Sequence, residues 1–253
     1  MRIHHLLGHT SGLNDFFEDK PQQGQSMIDM ILNDPSRIWT PQEVILWSKE
    51  HLKSHFPPGG GFHYSDTGYH LLGLIAETIT GLQLHQIFEH YFFRPLSMEQ
   101  SHMIHYSNPL SSSEYPIADV YVNKTVLNDH RSLSIEFAGG GIISTSEDLL
   151  KFMKALVSHE IISEDSFEGM KNWSKFSFGI DYGYGLVQFR TIPLLMPARY
   201  NMWGNFGSTG SFLFYHPRMD VYLIGSLNQF RTTRKAIQLM FKIIDILKKS
   251  TSL

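Results

Sequence analysis

The sequence predicts an α+β fold in which a mostly helical region precedes an antiparallel sheet with flanking helices. Apolar residues recur at helical spacing through residues 1–137, whereas short runs of β-branched and aromatic residues are concentrated in residues 138–253. An amphipathic helix ends the chain. Helices followed by a meander of strands are typical of the α+β class. With 253 residues and no internal repeat, the chain is expected to form a single domain over residues 1–253.

The composition is that of a globular protein with a large core, since 42% of the residues are hydrophobic and only 18% are charged. The formal net charge of −3 arises from interspersed acids and bases, so we expect no nucleic-acid partner. No apolar run approaches the roughly 18 residues of a spanning helix, and we expect no membrane segment in this chain. The absence of cysteine excludes disulfides, thiolate nucleophiles and cysteine-ligated zinc. The oligomeric state is left open.

The helices are predicted from their caps and apolar faces. Thr40 and Glu43 form a capping box around Pro41, which suits the first helical position. Apolar residues repeat at helical spacing through residues 66–80, and Gly81 is placed to cap the end of that helix. Further helical patterns lie at Leu6–Leu7, at 84–93 and at 144–158, the last with Thr145 or Ser146 as its cap.

Strands are predicted in the last third of the chain from three short runs, "YGLVQFR" at 184–190, "SFLFYH" at 211–216 and "VYLIGSL" at 221–227. The "HPRMD" segment between the last two is suited to a turn, so these runs are expected to pair as antiparallel strands. A helical pattern then covers 232–249 and ends in two lysines, which are cations suited to a helix C-terminus.

The segment "HYSDTGY" at 63–69 has two interpretations. Taken alone, it is a helix entry in which Ser65 or Asp66 caps a helix after a glycine-rich turn. However, it occurs together with "HLLGHTSGL" at 5–13, "AGGGIISTSEDLLKF" at 138–152 and "WGNFGSTGSFLFY" at 203–215. Four such segments in this order are hard to obtain by chance and point to a catalytic scaffold.

The combination resembles the penicillin-recognising serine hydrolases of the class C β-lactamase and D-alanyl-D-alanine carboxypeptidase type, which include esterases and D-amino-acid peptidases. "HLLGHTSGL" is similar to the family's His-Leu-Leu-Thr-His-Thr-Ser-Gly-Leu, and "FPPGGGFHYSDTGYHLLG" at 56–73 to its Pro-Gly-x-x-Phe-x-Tyr-Ser-Asn-x-Gly-Tyr. The resemblance covers essentially the whole chain. It implies a β-lactamase/transpeptidase-like fold, a small-molecule or peptide substrate with an acyl group, no cofactor, and an extracytoplasmic full-length product.

The resemblance implies that Tyr64 and Asp66 are catalytic. Tyr64 would be the general base or proton shuttle, which requires nearby cations because an unperturbed tyrosine titrates near pH ~10. Asp66 stands where the family has an asparagine that donates to the substrate carbonyl, and an aspartate can donate only when protonated. That departure weakens a β-lactamase assignment. A register in which Ser65-Asp66-Thr67 imitates the Ser-Asp-Asn of class A enzymes is disfavoured, since the chain contains no Lys-Thr-Gly.

The family's third motif, a histidine or lysine, any residue and then glycine, has two possible positions in "GNFGSTGSF". We prefer Asn205-Phe206-Gly207, followed by Ser208 and Thr209, over Ser208-Thr209-Gly210. The substrate-binding residues implied by the resemblance are therefore Asn205, Gly207, Ser208 and Thr209. Asn205 can form hydrogen bonds but carries no positive charge. A purely structural alternative is that these glycines permit a tight strand entry.

The nucleophile of the family has no counterpart here. In the family, a serine followed three residues later by lysine precedes the segment at which this chain begins, and the 253 residues contain no Ser-x-x-Lys. We therefore expect an N-terminally truncated member that is inactive as given. The intact protein would carry out acyl transfer on an amide or ester, such as a D-Ala-D-Ala peptide, an ester or a β-lactam. The alternative is a catalytically dead member that acts as a binding or scaffold protein.

Fourteen histidines raise the question of a metal site. His51/His55 and His102/His105 have spacings that fit one helix face, but His-Glu-x-x-His is absent and no acidic partner follows in a zinc pattern. We therefore expect no metal site, and we expect His9 to be structural.

Overall fold

A computed structural model describes residues 1–250, which divide into two compact units. Unit 1 comprises residues 1–114 and 129–152, and unit 2 comprises residues 115–128 together with the chain from residue 153 onward. Unit 1 is mostly helical, and unit 2 contains the main sheet.

The α-helices are α1 (Ile3–Leu7), α2 (Met27–Asn33), α3 (Pro41–His51), α4 (Asp66–Thr80), α5 (Leu84–Phe88), α6 (Ser146–Val157), α7 (Glu164–Met170) and α8 (Thr233–Ser250). The strands are β1 (His102–Met103), β2 (Tyr121–Val122), β3 (Thr125–Val126), β4 (Ile142–Ile143), β5 (Ser174–Ser177), β6 (Ile180–Tyr182), β7 (Val187–Phe189), β8 (Trp203–Phe206), β9 (Phe212–His216) and β10 (Val221–Gly225). A π-helical turn follows α5 at Glu89–Phe93, and 3-10 helices lie at Arg131–Glu136 and Ala198–Tyr200.

The caps of α3 and α4 are those predicted from the sequence. The Thr40 hydroxyl accepts from the N–H of Glu43 at 3.2 Å, and the Glu43 carboxylate accepts from the N–H of Thr40 at 2.8 Å. Ser65 caps α4, because its hydroxyl accepts from the N–H of Gly68 at 3.0 Å. Gly81 ends α4 at φ 71°, in the left-handed region that favours glycine.

Several parts of the fold differ from the prediction or were missed, among them α2, α7 and the short strand pairs β1–β4 and β2–β3. Residues 84–93, predicted as one helix, form α5 and then a π-helical turn. The hairpin of β5 and β6 lacks a clear apolar pattern, since "SKFS" contains one apolar residue. Its tight turn depends on Gly179 at φ 74°, where an added Cβ would lie 2.7 Å from Met196 Cε.

Unit 2 is built on a six-stranded antiparallel sheet in the order β10-β9-β8-β7-β6-β5. Adjacent strands are neighbours in sequence, as the predicted meander requires. Helix α8 packs on this sheet: the Phe241 ring meets Phe189 of β7 edge-on at 5.2 Å and stacks on Tyr200 at 4.2 Å. Met240 and Ile244 of the same helix are fully buried.

Unit 1 has a core in which α2, α3 and the segment before Glu136 meet around Trp39 and Phe16. Helix α4 is fixed beside this core by His70, which is fully buried. Its Nε2 lies 2.9 Å from the carbonyl oxygen of Ile135. This contact holds the start of α4 against the residues that lead into Glu136. Among the helices of residues 1–250, none has the length and apolar character needed to cross a membrane.

We predict that Ser65→Ala destabilises the protein by about 1–3 kcal/mol. The substitution removes the cap of α4 and also leaves the buried carbonyl oxygen of Asn14 without its hydrogen-bond donor, since Ser65 Oγ donates to it at 2.7 Å. Urea unfolding measures the change. Ser163→Ala is the matched control, because Ser163 caps α7 at an exposed position. An equal loss of stability in both variants would contradict the role assigned to the Asn14 contact.

Candidate active site

The residues on either side of Tyr64 are hydrogen-bonded to the segment 9–14. The N–H of His63 donates to the carbonyl oxygen of His9 at 2.9 Å, and the N–H of Ser65 donates to His9 Nδ1 at 3.0 Å. The Ser65 hydroxyl donates to the carbonyl oxygen of Asn14, and Ser65 is 1% exposed. Ser65 is therefore engaged as a structural cap, and the backbone around Tyr64 is fixed on both sides.

His9 positions the ring of Tyr64. The two rings lie 4.3 Å apart between centroids, and Tyr69 stacks on His9 at 5.0 Å. Burial, with the charge of His63 as a smaller cause, lowers the pKa of His9 to about 3, so the ring is neutral. Because Nδ1 accepts from Ser65, the proton of the neutral ring is on Nε2. His9 is therefore not a cation that could lower the pKa of Tyr64.

The segment that supports Tyr64 requires glycine at position 12. Gly12 has φ +74°, and an added Cβ would lie 1.8 Å from the carbonyl oxygen of Phe56. The carbonyl oxygen of Gly12 accepts from the N–H of His55 at 2.9 Å, and the N–H of Gly59 donates to Thr10 at 2.8 Å. The glycine of "HTSGL" thus allows the loop before Tyr64 to lie directly on this segment.

Asp66 lies beside Tyr64 and within a group of carboxyl groups. Burial and, second, the charge of Glu136 raise the pKa of Asp66 to about 8, while a hydrogen bond with the Tyr64 side chain opposes the shift. Burial and the charge of Asp66 likewise raise the pKa of Asp15, which is 2% exposed. With both pKa values raised, Asp15 and Asp66 favour their protonated forms at neutral pH. We call Asp15, Asp66 and Glu136 the carboxyl cluster.

Glu136 is the third member of the carboxyl cluster, and burial followed by the charge of Asp15 raises its pKa to about 7. The backbone of the "AGGG" segment lies over these groups. An added Cβ at Gly139 would lie 3.4 Å from the Asp66 carboxyl carbon, and one at Gly140 would lie 3.2 Å from Glu136 Oε2. These glycines therefore permit a close approach of the main chain to two of the three carboxyl groups.

The carboxyl cluster changes what Asp66 can do. A protonated carboxyl donates one O–H, whereas an ionised one only accepts. With its pKa raised, Asp66 can donate a hydrogen bond at neutral pH. An aspartate must be protonated in this way to act as a donor in place of an asparagine. The hydrogen bond between Asp66 and Tyr64 also gives the tyrosine a partner with which to exchange a proton.

The other implied site residues lie in unit 2, at the end of β8 and in the turn before β9. Asn205 donates from its side-chain amide to the carbonyl oxygen of Gly185 at 3.1 Å and accepts from the N–H of Phe206 at 2.8 Å. The N–H of Gly207 donates to the carbonyl oxygen of Ser211 at 2.9 Å. The Thr209 hydroxyl donates to Ser211 Oγ at 3.5 Å. Asn205 and Gly207 thus form part of the tight strand connection.

Asp15 and Glu136 were not predicted from the sequence as members of the candidate site, and His9 was expected to be only structural. Asp15 lies two residues after the "HTSGL" segment and Glu136 two residues before "AGGG", so each is close to a recognised motif. That adjacency is the one sequence signal that could have indicated them. Tyr64 and Asp66, which the sequence did predict, are brought together by a side-chain hydrogen bond.

A family model described as Beta-lactamase matches residues 1–246. Over 208 residues the chain is 29% identical to penicillin-binding protein 4* of Bacillus subtilis strain 168, and the match covers 73% of this chain and 42% of that protein. The chain therefore spans about two fifths of the length of this curated relative.

The solved structures that it resembles include the D-amino acid amidase of Ochrobactrum anthropi SV3 complexed with L-phenylalanine, with a TM-score of 0.77 at 23% identity over 99% of this chain and 72% of that chain. A D-stereospecific amidohydrolase from Streptomyces sp. gives a TM-score of 0.76 at 24% identity over 94% of this chain and 71% of that one. The predicted resemblance and the predicted β-lactamase/transpeptidase-like fold are confirmed.

We predict that Asp66→Asn gains stability relative to the wild type as pH rises from about 4 to about 8. The raised pKa means that folded Asp66 holds its proton more tightly than unfolded Asp66, whose pKa is near 3.8. Its contribution to stability is complete below that lower value and is lost as pH rises through the folded pKa. Melting temperatures across this pH range measure the difference.

The control for this experiment is Asp165→Asn, which changes an exposed carboxylate at the start of α7. Titration of the buried histidines affects all three proteins equally and cancels in the comparison. A melting-temperature difference between Asp66→Asn and wild type that is constant with pH would contradict the raised pKa.

Proposed function

Because the chain belongs to the beta-lactamase family, whose members are serine hydrolases, we propose that it provides the proton-transfer part of an acyl-transfer site for amides or esters. Tyr64 moves protons to and from the nucleophile and the leaving group. Protonated Asp66 donates to the substrate carbonyl, as the family's asparagine does. The observation that carries this proposal is the side-chain hydrogen bond between Tyr64 and Asp66, whose pKa is raised to about 8 by burial and the charge of Glu136.

The covalent step needs a serine that these 253 residues do not provide in a Ser-x-x-Lys motif. In the proposed reaction, the serine oxygen attacks the acyl carbon while its proton passes to the Tyr64–lysine pair. The leaving amine or alcohol takes that proton as its bond to the acyl carbon breaks. Water then attacks the acyl-enzyme, and the serine regains a proton. The 253-residue chain is therefore proposed to be inactive in this reaction.

The proposed substrates are amides or esters of small peptides or amino acids. Two similar structures are those of a D-amino acid amidase and a D-stereospecific amidohydrolase, and they support an amide with a D-configured acyl group. A neutral Asp66 supports the same choice, since it can donate to a carbonyl oxygen without adding a charge. Asn205 also favours substrates that do not need a cation at that position.

A second candidate is a catalytically dead binding or scaffold protein. The observation that favours it is the coincidence of three departures from the family pattern, namely the absent Ser-x-x-Lys, Asp66 for asparagine and Asn205 for a cation. Such a protein would retain acyl-compound binding without turnover.

We predict that the 253-residue chain is not labelled by a fluorescent penicillin or by a fluorophosphonate probe, because both probes require an activated serine. A form extended by the in-frame coding sequence upstream of Met1 is the comparison. Gel fluorescence after incubation measures labelling. Labelling of the extended form supports the hydrolase, labelling of neither form supports the binding protein, and labelling of the short form would contradict the assignment of the nucleophile.

We predict that, in the extended form, Asp66→Asn retains amide hydrolysis at a pH above about 8, where the wild type loses it because Asp66 ionises and ceases to donate. At pH about 6, where Asp66 is protonated, both proteins should turn over a D-amino-acid amide at similar rates. The pH profile of kcat/KM measures this. Tyr64→Phe should lower the rate by about 10²–10⁴ at every pH. Identical alkaline profiles for Asp66→Asn and wild type would contradict the donor role.

A further inference from the structure

A cluster of two histidines and an aspartate lies in unit 1 outside the carboxyl cluster. His55 Nε2 lies 2.8 Å from Asp19 Oδ2, and His63 Nε2 lies 3.0 Å from the same oxygen. The two imidazole rings stack with centroids 3.5 Å apart. One ligand atom from each of the three residues lies within 4.8 Å of the others. The sequence had paired His55 with His51, whereas in the structure His51 stacks on Trp47.

We propose that Asp19, His55 and His63 bind a divalent first-row transition metal ion, of which Zn²⁺ is the best match. Two imidazole nitrogens and one carboxylate oxygen are a donor set that suits zinc and its neighbours. The three side chains are 20–38% exposed, so an ion can reach them from solvent. Such a site leaves at least one coordination position for water.

The ligands are held in place before an ion binds. The N–H of Asp15 donates to Asp19 Oδ2 at 2.9 Å, which orients the carboxylate. The backbone N–H groups of His55 and His63 donate to the carbonyl oxygens of Gly12 and His9. Both histidines are thus anchored to the segment that also supports Tyr64.

The stacked rings need a small rearrangement to share an ion. Donor atoms bound about 2.1 Å from a tetrahedral zinc ion lie about 3.4 Å from one another, which is close to the spacings around Asp19 Oδ2. The lone pairs of stacked rings run side by side, so the rings must tilt apart until both point at the ion. Rotation about the side-chain torsions supplies this movement without a change in the anchored backbone.

The consequence of binding is that the ion joins the two ends of the loop 55–63. This loop contains two prolines followed by three glycines, and the glycines give it high conformational entropy in the unfolded chain. A cross-link between its ends, next to Tyr64, stabilises the folded state by mass action with the metal. The site is therefore a structural clamp, and its existence does not depend on the proposed hydrolase activity.

The test is zinc titration of the metal-free 253-residue chain by calorimetry, with thermal unfolding in parallel. We expect one equivalent of zinc to bind and to raise the melting temperature. Asp19→Asn, His55→Ala and His63→Ala should each weaken binding at least about tenfold and abolish the thermal shift. Asp19→Asn keeps the size of the side chain and its hydrogen-bonding ability, so it preserves the fold if a histidine variant does not.

The matched control is His4→Ala, since the His4 ring also lies close to that of a neighbouring histidine, His5, with centroids 4.2 Å apart, but is exposed at the start of the chain. This variant should bind zinc like the wild type. Visible absorption of the Co²⁺-loaded wild type gives a readout that needs no variant, because ligation by two imidazoles changes the d–d bands of the aqueous ion. Absence of zinc binding, or unchanged binding in all three ligand variants, would overturn the proposal.

Discussion

The hydrogen bonds between the segment 9–14 and the residues around Tyr64 are the constraint on which the candidate site depends. His9 accepts from both His63 and Ser65, and Asn14 accepts from Ser65. These contacts fix the backbone on both sides of Tyr64, and the His9 ring lies against the tyrosine ring with centroids 4.3 Å apart. The same segment anchors His55, so one short stretch of backbone positions the candidate active site and the proposed metal site.

The carboxyl cluster sets the electrostatics of this region. The charges that raise the pKa values of Asp15, Asp66 and Glu136 are those of other carboxylates, and burial acts in the same direction. Ionising all three would place like charges together at reduced solvation, which is costly. The folded protein avoids that cost because these carboxyl groups retain protons. A carboxyl group that retains its proton can donate a hydrogen bond, whereas a carboxylate only accepts. The ability of Asp66 to donate a hydrogen bond is therefore a consequence of its burial near other carboxyl groups.

Local signals predicted the caps of α3 and α4, whereas they could not predict which distant side chains come together. The Ser65 cap, the end of α4 at Gly81 and the capping box of α3 depend on residues within one turn, so their patterns are visible in the sequence. The proximity of Asp15 to Glu136 depends on how α4 packs, which no local pattern encodes. Likewise, the spacing that paired His55 with His51 carried no information about His63, which is on a different segment.

Because Asp66, unlike the asparagine that it replaces, can ionise, a cation near the site changes its protonation. A cation beside the carboxyl cluster favours the ionised forms and so lowers the pKa values of these groups. The pH at which Asp66 passes from donor to acceptor would then be lower. An asparagine makes no such change, because its amide is neutral in every charge environment. In a serine hydrolase built on this chain, the charge of Asp66 would thus affect both its hydrogen bond to the substrate carbonyl and its hydrogen bond with Tyr64. Asp66 would donate to the carbonyl only in its neutral state.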